Sequence, residues 1–290
     1  MSKVAVMTDS NSGITQSEAK ELGVYVLPMP FTIDGKGYLE DINLSQEEFY
    51  QFLMNDVDVA TSQPAIGDVK AFYDKILEDY DEIIHIPMSS GLSGTCQTAM
   101  MIAQEEPYKG KVFVVDSQRI SVTQKHDVFS AMALAREGKT GQEIHDLLME
   151  TKWATTIYIT LDTLYYLEKG GRLTPSAAAM GKLLKIKPVL QIQGEKLDSF
   201  KKTRTVSKGK QIMLDAAIND INTRIDPEGK GKNCEIYVAY TYDRSLGEEY
   251  ARQIQETFPD HHIIYDPLSL SVSCHIGPNA IAIAVAKKIV

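Results

Sequence analysis

Short apolar runs that favour β-strands alternate with helical patterns through the first half of the chain. The strand-like runs cover residues 4–7, 24–27, 83–86 and 111–115. Capping-box patterns start several of the intervening helices: Thr15 with Glu18, Ser45 with Glu48, and Thr140 with Glu143. This alternation predicts an α/β domain over residues 1–152, with a Rossmann-like parallel sheet and helices on both faces.

A small insertion interrupts this alternation near residues 28–60. Two short apolar runs, 31–33 and 38–39, flank the segment Asp34-Gly35-Lys36-Gly37, which favours a hairpin. A short helix follows after Ser45. We therefore expect a hairpin and a helix as an appendage of the first domain.

The second half mixes hairpins and helices, which predicts an α+β domain over residues 153–290. A strand at 155–159 is followed by a helix that stops at Gly170 and Gly171. The remaining predicted elements are a hairpin of 187–192 and 196–198 around Gly194 and Glu195, a helix at 206–221, a strand at 235–240, a helix at 246–258, a strand at 262–265 and a last helix at 281–289.

A serine-rich segment, residues 89–95, joins the strand-like run at 83–86 to a helix-like run; we call it the serine loop. The first N–H groups of a helix have no partner within it, and the helix dipole favours negative charge there. Glycine lets the backbone approach a ligand, and serine donates from its hydroxyl. The pattern predicts an anion, carboxylate or phosphate, at Ser93 and Gly94.

Composition and charge narrow the functional classes. The net charge of −9 disfavours nucleic acid, which is bound through excess Lys and Arg. No apolar run approaches the roughly 20 residues that span a bilayer, and the polar start is unlike a signal peptide. Cys96, Cys234 and Cys274 have unrelated spacings, so buried thiols and no metal are expected, and a cytoplasmic location follows.

A serine hydrolase is the alternative for the same segment. Residues 91–95 nearly match the Gly-x-Ser-x-Gly turn of hydrolases, except that Thr95 replaces the last glycine. Ser93 would be the nucleophile, and His275, predicted in a loop before the last helix, its base. A binding protein for another small anion, or a solvated loop without ligand, also fits this segment.

The remaining histidines and two arginines carry weaker patterns. His85 lies in an apolar run and is predicted to be a core residue, whereas surface positions are expected for His126, His145, His261 and His262. Arg172 follows Gly171, and Arg204 lies in a basic run at 201–205. Each arginine is either a solvated charge or part of a grip on an anion or acidic partner.

Taken together, these segments resemble the DegV family, whose members include fatty-acid-binding subunits of bacterial fatty acid kinase. The matching segments are Thr8-Asp9-Ser10, Thr61-Ser62-Gln63-Pro64, the serine loop, Asp116-Ser117, 167–172, Arg204 and His275-x-Gly277-Pro278. The resemblance implies two domains with a ligand between them. That ligand is a long-chain fatty acid, with no other cofactor, held by a protein that has no catalytic activity of its own.

The resemblance also implies roles for individual residues. Ser93 and the Gly94 N–H would contact the fatty acid carboxylate, and Thr61 and His275 would complete its hydrogen bonds. Arg172 and Arg204 would serve docking of, or phosphoryl transfer by, a separate ATP-dependent kinase related to dihydroxyacetone kinases. That kinase would make the acyl phosphate.

The chain departs from the usual family pattern at three places. Ala65 stands where a serine is common, and Asn279 stands where a glycine is common. Residues 121–124 read Ser-Val-Thr-Gln where the family often shows a glycine-rich Ser-x-Gly stretch. These departures bear on the acyl-chain preference.

Overall fold

The computed structural model describes residues 2–181, 186–194 and 196–289. Two compact units make up the chain: one holds the chain up to Lys152 together with Ile289, and the other is Trp153–Lys288. Glu195, predicted at the tip of a hairpin, lies outside the described residues. No helix in the described ranges is both long and apolar enough to cross a bilayer.

The first unit is built on a four-stranded parallel sheet in the order β2-β1-β6-β7. Its strands are β1 (Val4–Asp9), β2 (Tyr25–Leu27), β6 (Glu82–Ile86) and β7 (Val112–Val114). Its helices are α1 (Gln16–Leu22), α2 (Gln46–Met54), α3 (Ile66–Leu77), α4 (Thr95–Ile102), α5 (Val122–Arg136) and α6 (Gly141–Glu150).

Helices cover both faces of this sheet because the strand side chains alternate between two cores. Ala5 and Met7 pack with α3 and α4 on one face. Val6 and Ile84 pack with α1, α5 and α6 on the other. The prediction of a parallel sheet with helices on both faces is confirmed.

A small antiparallel sheet in the order β4-β3-β5 completes the first unit. Its strands are β3 (Pro30–Ile33), β4 (Lys36–Leu39) and β5 (Val59–Thr61). The turn between β3 and β4 is formed by Asp34 and Gly35, both with positive φ, as a tight hairpin requires. α2 begins with the full capping box of Ser45 and Glu48.

A six-stranded mixed sheet in the order β10-β9-β8-β13-β11-β12 forms the second unit, and only its β11–β12 pair is parallel. The strands are β8 (Thr155–Thr160), β9 (Lys187–Ile192), β10 (Asp198–Thr203), β11 (Cys234–Tyr240), β12 (Ile264–Pro267) and β13 (Ile281–Lys287). The helices are α7 (Tyr165–Gly170), α8 (Pro175–Gly181), α9 (Val206–Asp220), α10 (Arg244–Thr257) and α11 (Leu270–Ile276).

The prediction of a last helix at 281–289 is wrong. β13 lies between β8 and β11 as a central strand and is buried almost throughout. Ile281, Ile283 and Val285 alternate with alanines and pack into the core that α9 and α10 cover. A strand between two covered faces carries few polar residues, so its apolar run passes for a buried helix when alanine is read as a helix former.

Candidate functional site

The serine loop follows β6, and hydrogen bonds from three consecutive main-chain N–H groups, one just before the loop and two at its start, hold it in place. The Met88 N–H donates to Asp9 Oδ2 at 2.9 Å, and the Ser89 N–H donates to the Arg119 carbonyl at 2.9 Å. The Ser90 N–H donates to Asp116 Oδ1 at 3.2 Å. These acceptors lie at or just after the ends of the neighbouring strands β1 and β7, so the carboxyl edge of the sheet fixes the path of the loop.

Ser93 and Gly94 sit where this loop opens α4. Ser93 Oγ accepts a hydrogen bond from the Thr95 N–H at 3.2 Å and lies 2.9 Å from Thr95 Oγ1. Gly94 is exposed, and no residue in the described ranges accepts a hydrogen bond from its N–H. The half-buried serine hydroxyl and this N–H are two neutral donors at a helix start, the arrangement that suits an anion.

Thr61 ends β5, and the residues after it approach the serine loop. Thr61 is half-buried and pairs with Phe31 in the small sheet. A Cβ at Gly94 would lie 2.3 Å from Gln63 Oε1, so the Gln63 side chain rests against Gly94. The structure therefore brings the 61–64 segment and the serine loop together within the first unit.

Asp9 lies behind the serine loop and is fully buried. Its Oδ1 accepts hydrogen bonds from the Asn11 N–H, Asn11 Nδ2 and Gln124 Nε2 at 2.9–3.1 Å. Burial raises the pKa of the Asp9 carboxyl, and these hydrogen bonds oppose that rise. Asp9 therefore joins the ends of β1 and β6 to the start of α5.

His275 belongs to a helix, so its predicted position in a loop is wrong. It occupies the last turn of α11, and Gly277 ends that helix with a φ of 82°. A Cβ at Gly170 would lie 2.3 Å from His275 Nδ1, so the imidazole packs directly on the end of α7. Burial first, and the Arg172 charge second, lower the pKa of His275 to about 4. The ring is therefore neutral at pH 7.

The two arginines differ in their surroundings. Arg172 is half-buried and donates from Nη1 to the Gly170 carbonyl. Arg204 is exposed between β10 and α9, and no described acidic side chain pairs with it. Leu173 bridges Leu197, just before β10, whereas Arg204 follows the far end of that strand. The two arginines thus lie at opposite ends of β10, so they do not form one compact anion grip.

We call Gly170, Arg172 and His275 the helix-end cluster. This cluster and Arg204 belong to the second unit. Thr61, Ser93 and Gly94 belong to the first unit. The predicted carboxylate-binding residues are thus divided between the two units.

The cysteines are buried, as the sequence predicts. Burial first, and then Asp116, raise the pKa of the Cys96 thiol, so it stays neutral.

The predictions for His85 and His126 have different outcomes. His85 is a core residue as predicted: it is fully buried, bonds Tyr73 Oη through Nδ1 at 2.7 Å, and burial lowers its pKa to about 3. The surface prediction for His126 is wrong, because most of α5 is buried, polar residues included. In the described part of the chain, no three His, Cys, Asp or Glu side chains form a metal-binding group.

Sequence reasoning missed a fully buried ion pair next to the serine loop. Arg119 Nη1 lies 2.6 Å from Asp127 Oδ1, and Arg119 Nη2 donates to the Thr151 carbonyl at 2.8 Å. No motif marks these residues. The polar strand ends at Asp9 and Asp116 did give a visible pattern, since ligand-side residues gather at the carboxyl edge of such sheets.

Two departures from the family pattern have local structural consequences. Ala65 is the N-cap of α3 and offers no side-chain hydrogen bond to the helix, where a serine would cap it. Asn279 has a φ of 60°, a conformation that asparagine tolerates better than most residues other than glycine.

Comparison with known proteins shows similarity over nearly the whole chain. The model of the family described as "Uncharacterised protein, DegV family" matches residues 3–288. DegV domain-containing protein SA1258 of Staphylococcus aureus is 30% identical over 99% of this chain and 100% of its own length.

Solved structures show the same fold. A DegV family protein from Thermus thermophilus, described by its fatty acid binding, superposes with a TM-score of 0.88 and 26% identity over 98% of this chain and 99% of its own. DegV from Bacillus subtilis, described as a fatty acid binding protein, gives 0.87 and 25% over 99% and 100%. This chain therefore belongs to the DegV family.

Proposed function

We propose that this protein is a fatty-acid-binding carrier without catalytic activity of its own. The observation that carries the proposal is the pair of neutral donors, Ser93 Oγ and the Gly94 N–H, at the start of α4. The fold shared with DegV proteins described as fatty acid binding supports the same ligand class. Buried cysteine thiols are compatible with a cytoplasmic location.

The acyl tail and the carboxylate contribute differently to such binding. Each buried CH₂ is worth about 0.8 kcal/mol, so a long tail supplies on the order of 10 kcal/mol. A hydrogen bond to a charged group adds roughly 1.5–3 kcal/mol net. We therefore expect the tail to set most of the affinity and the polar residues to set the orientation and to disfavour uncharged lipids.

Thr61, Ser93, Gly94 and His275 are the proposed carboxylate-binding residues. Ser93→Ala and His275→Ala should each weaken binding of a long-chain fatty acid by about 10- to 100-fold, which corresponds to one charge-assisted hydrogen bond. Ser207→Ala and His262→Ala, at exposed positions, are the matched controls. Calorimetric titration of delipidated protein measures the effect. Unchanged affinity in both site variants would contradict the assignment.

The carrier would present the bound carboxylate to a separate ATP-dependent kinase of the dihydroxyacetone kinase type, which makes the acyl phosphate. Arg172 and Arg204 are the proposed residues for kinase interaction or phosphoryl transfer. Arg172→Ala and Arg204→Ala should retain fatty acid but lose acyl phosphate formation with ATP and the kinase, whereas Arg252→Ala serves as an exposed control. Loss of lipid with normal kinase coupling would contradict these roles.

A serine hydrolase fits the geometry less well. Such enzymes orient the histidine with a carboxylate that stabilises the imidazolium, whereas burial first, and Arg172 second, lower the pKa of His275 and so disfavour its charged form. We expect no labelling of Ser93 by a fluorophosphonate probe; labelling that disappears in Ser93→Ala would favour the hydrolase instead.

A further inference from the structure

The serine loop is fixed by groups that no proposed ligand contact uses. Three successive N–H groups, at Met88, Ser89 and Ser90, are each bound by a different residue: Asp9, Arg119 and Asp116 respectively. The Ser90 hydroxyl adds a second bond to Asp116, from Oγ to Oδ2 at 2.6 Å. A peptide segment bound at three consecutive amides has little freedom to rotate.

The position of the Arg119 carbonyl depends on a strained backbone conformation around it, which other contacts must stabilise. Gln118 and Ser121, on either side of Arg119, both have a φ of 56°, which is costly for residues other than glycine. Such a backbone persists only where its surroundings determine it. Here the fully buried ion pair with Asp127 anchors the Arg119 side chain, and the Ser121 N–H donates to the Asn11 carbonyl at 3.1 Å.

This anchoring reaches the proposed carboxylate donors through one short turn. The Leu92 and Ser93 N–H groups both donate to the Ser89 carbonyl, at 3.0 and 3.2 Å. The direction of Ser93 Oγ and of the Gly94 N–H therefore follows from the orientation of the peptides at 88–90. Hydrogen bonds to a charged group are directional, so a small rotation of these peptides weakens them.

We propose that Asp9, Asp116 and the Arg119–Asp127 pair are positioning residues for the fatty acid carboxylate. They act through the three N–H groups and touch no ligand themselves. The inference rests on the proposed function, and it adds the residues that determine selectivity for a carboxylate over an uncharged head group.

Asp116 gives the sharpest test because it is half-buried and bonds the loop twice. For each variant, calorimetry on delipidated protein gives the Kd of a long-chain fatty acid and of the alcohol with the same chain. Asp116→Ala should lower the ratio of alcohol Kd to acid Kd at least tenfold while the alcohol Kd changes less than twofold. A general loss of stability would not move this ratio, because the tail contribution cancels.

Two further variants make the outcome specific. Asp116→Asn keeps one acceptor oxygen and should recover part of the ratio, and Ser90→Ala should lower it about threefold. Asp74→Ala, which removes an unrelated carboxylate that accepts from Tyr108 Oη at 2.8 Å, should leave it unchanged. If Asp116→Ala does not fold, Asp116→Asn and Ser90→Ala decide the question.

The outcomes separate the inference from the proposed function. A high ratio in the wild type that both Asp116→Ala and Ser90→Ala leave unchanged overturns the inference alone. A wild-type ratio near one contradicts the proposed carboxylate site, and the inference falls with it.

Discussion

Ser93 and Gly94 of the serine loop and His275 of the helix-end cluster are proposed to bind the same carboxylate, yet the charged residues of the two regions have opposite signs. The serine loop offers neutral donors and keeps its formal charges, Asp9 and Asp116, as acceptors for its own backbone. The helix-end cluster offers the Arg172 cation beside a neutral His275. The difference fits the proposed division of roles, in which the serine loop and the neutral His275 bind the carboxylate through hydrogen bonds and Arg172 serves kinase interaction or phosphoryl transfer.

The largest expected effect concerns the buried charges that support the serine loop. Arg119→Met leaves Asp127 buried without its cation and should lower the free energy of unfolding by about 3–5 kcal/mol. The double variant Arg119→Met with Asp127→Leu should recover most of that loss, because replacing both charges avoids an unpaired one. Urea denaturation measures both. Equal stability of the single and double variants would contradict the view that the pair, and not the arginine alone, supports this region.

The helix-end cluster is tested by adding one methyl group. Gly170→Ala places a Cβ within 2.3 Å of the His275 ring, so the ring must shift, and fatty acid affinity should fall by about tenfold or more, as expected for a lost charge-assisted hydrogen bond. Gly67→Ala in α3 is the control, since a Cβ there meets nothing within 4 Å. Calorimetric titration compares the two. Equal affinities would mean that the position of His275 is irrelevant to binding.

The protonation of His275 distinguishes a neutral hydrogen-bonding group from a cation. Since its pKa is lowered from 6.5 to about 4, the folded state favours the neutral ring, so its contribution to stability is complete above pH 6.5 and is lost as the pH falls towards 4. NMR should show no titration of His275 between pH 8 and 5.5. Arg172→Gln should raise its pKa part of the way, because burial is the larger cause. A midpoint near 6.5 in the wild type would contradict a buried, neutral ring.

The smallest expected effect lies at the N-cap of α3, four residues beyond Thr61. Ala65→Ser should raise the free energy of unfolding by about 0.5–1 kcal/mol by adding a side-chain cap, with no change in fatty acid affinity. Ser45→Ala, which removes the existing cap of α2, should lower it by a similar amount. Thermal denaturation with a parallel binding titration checks both. A change in affinity in Ala65→Ser would show that position 65 takes part in the site.

Local patterns explain which parts of the fold could be predicted from the sequence. The parallel strands, the serine loop and the caps at Ser45 and Thr140 follow from spacings of a few residues. β13 was missed because a central strand rich in alanine lacks polar positions. The helix of His275 was missed because Gly277 and Pro278 favour a loop.

The support of the serine loop could not be predicted, because it depends on contacts between residues distant in the chain. Asp9 and Met88 are 79 positions apart, and Ser90 and Asp116 are 26 apart. Asp127 and His126 were missed since α5 is buried on nearly every side, so no amphipathic pattern distinguishes its polar residues. Arg119 precedes α5 in a segment without regular secondary structure.

Mass spectrometry of the purified protein, first native and then denatured, tests the central claim most directly. The account predicts one long-chain fatty acid per chain, bound in the native protein and released on denaturation. A protein that carries no fatty acid and also fails to bind added fatty acids would contradict it, and would favour a small-anion-binding protein or a hydrolase.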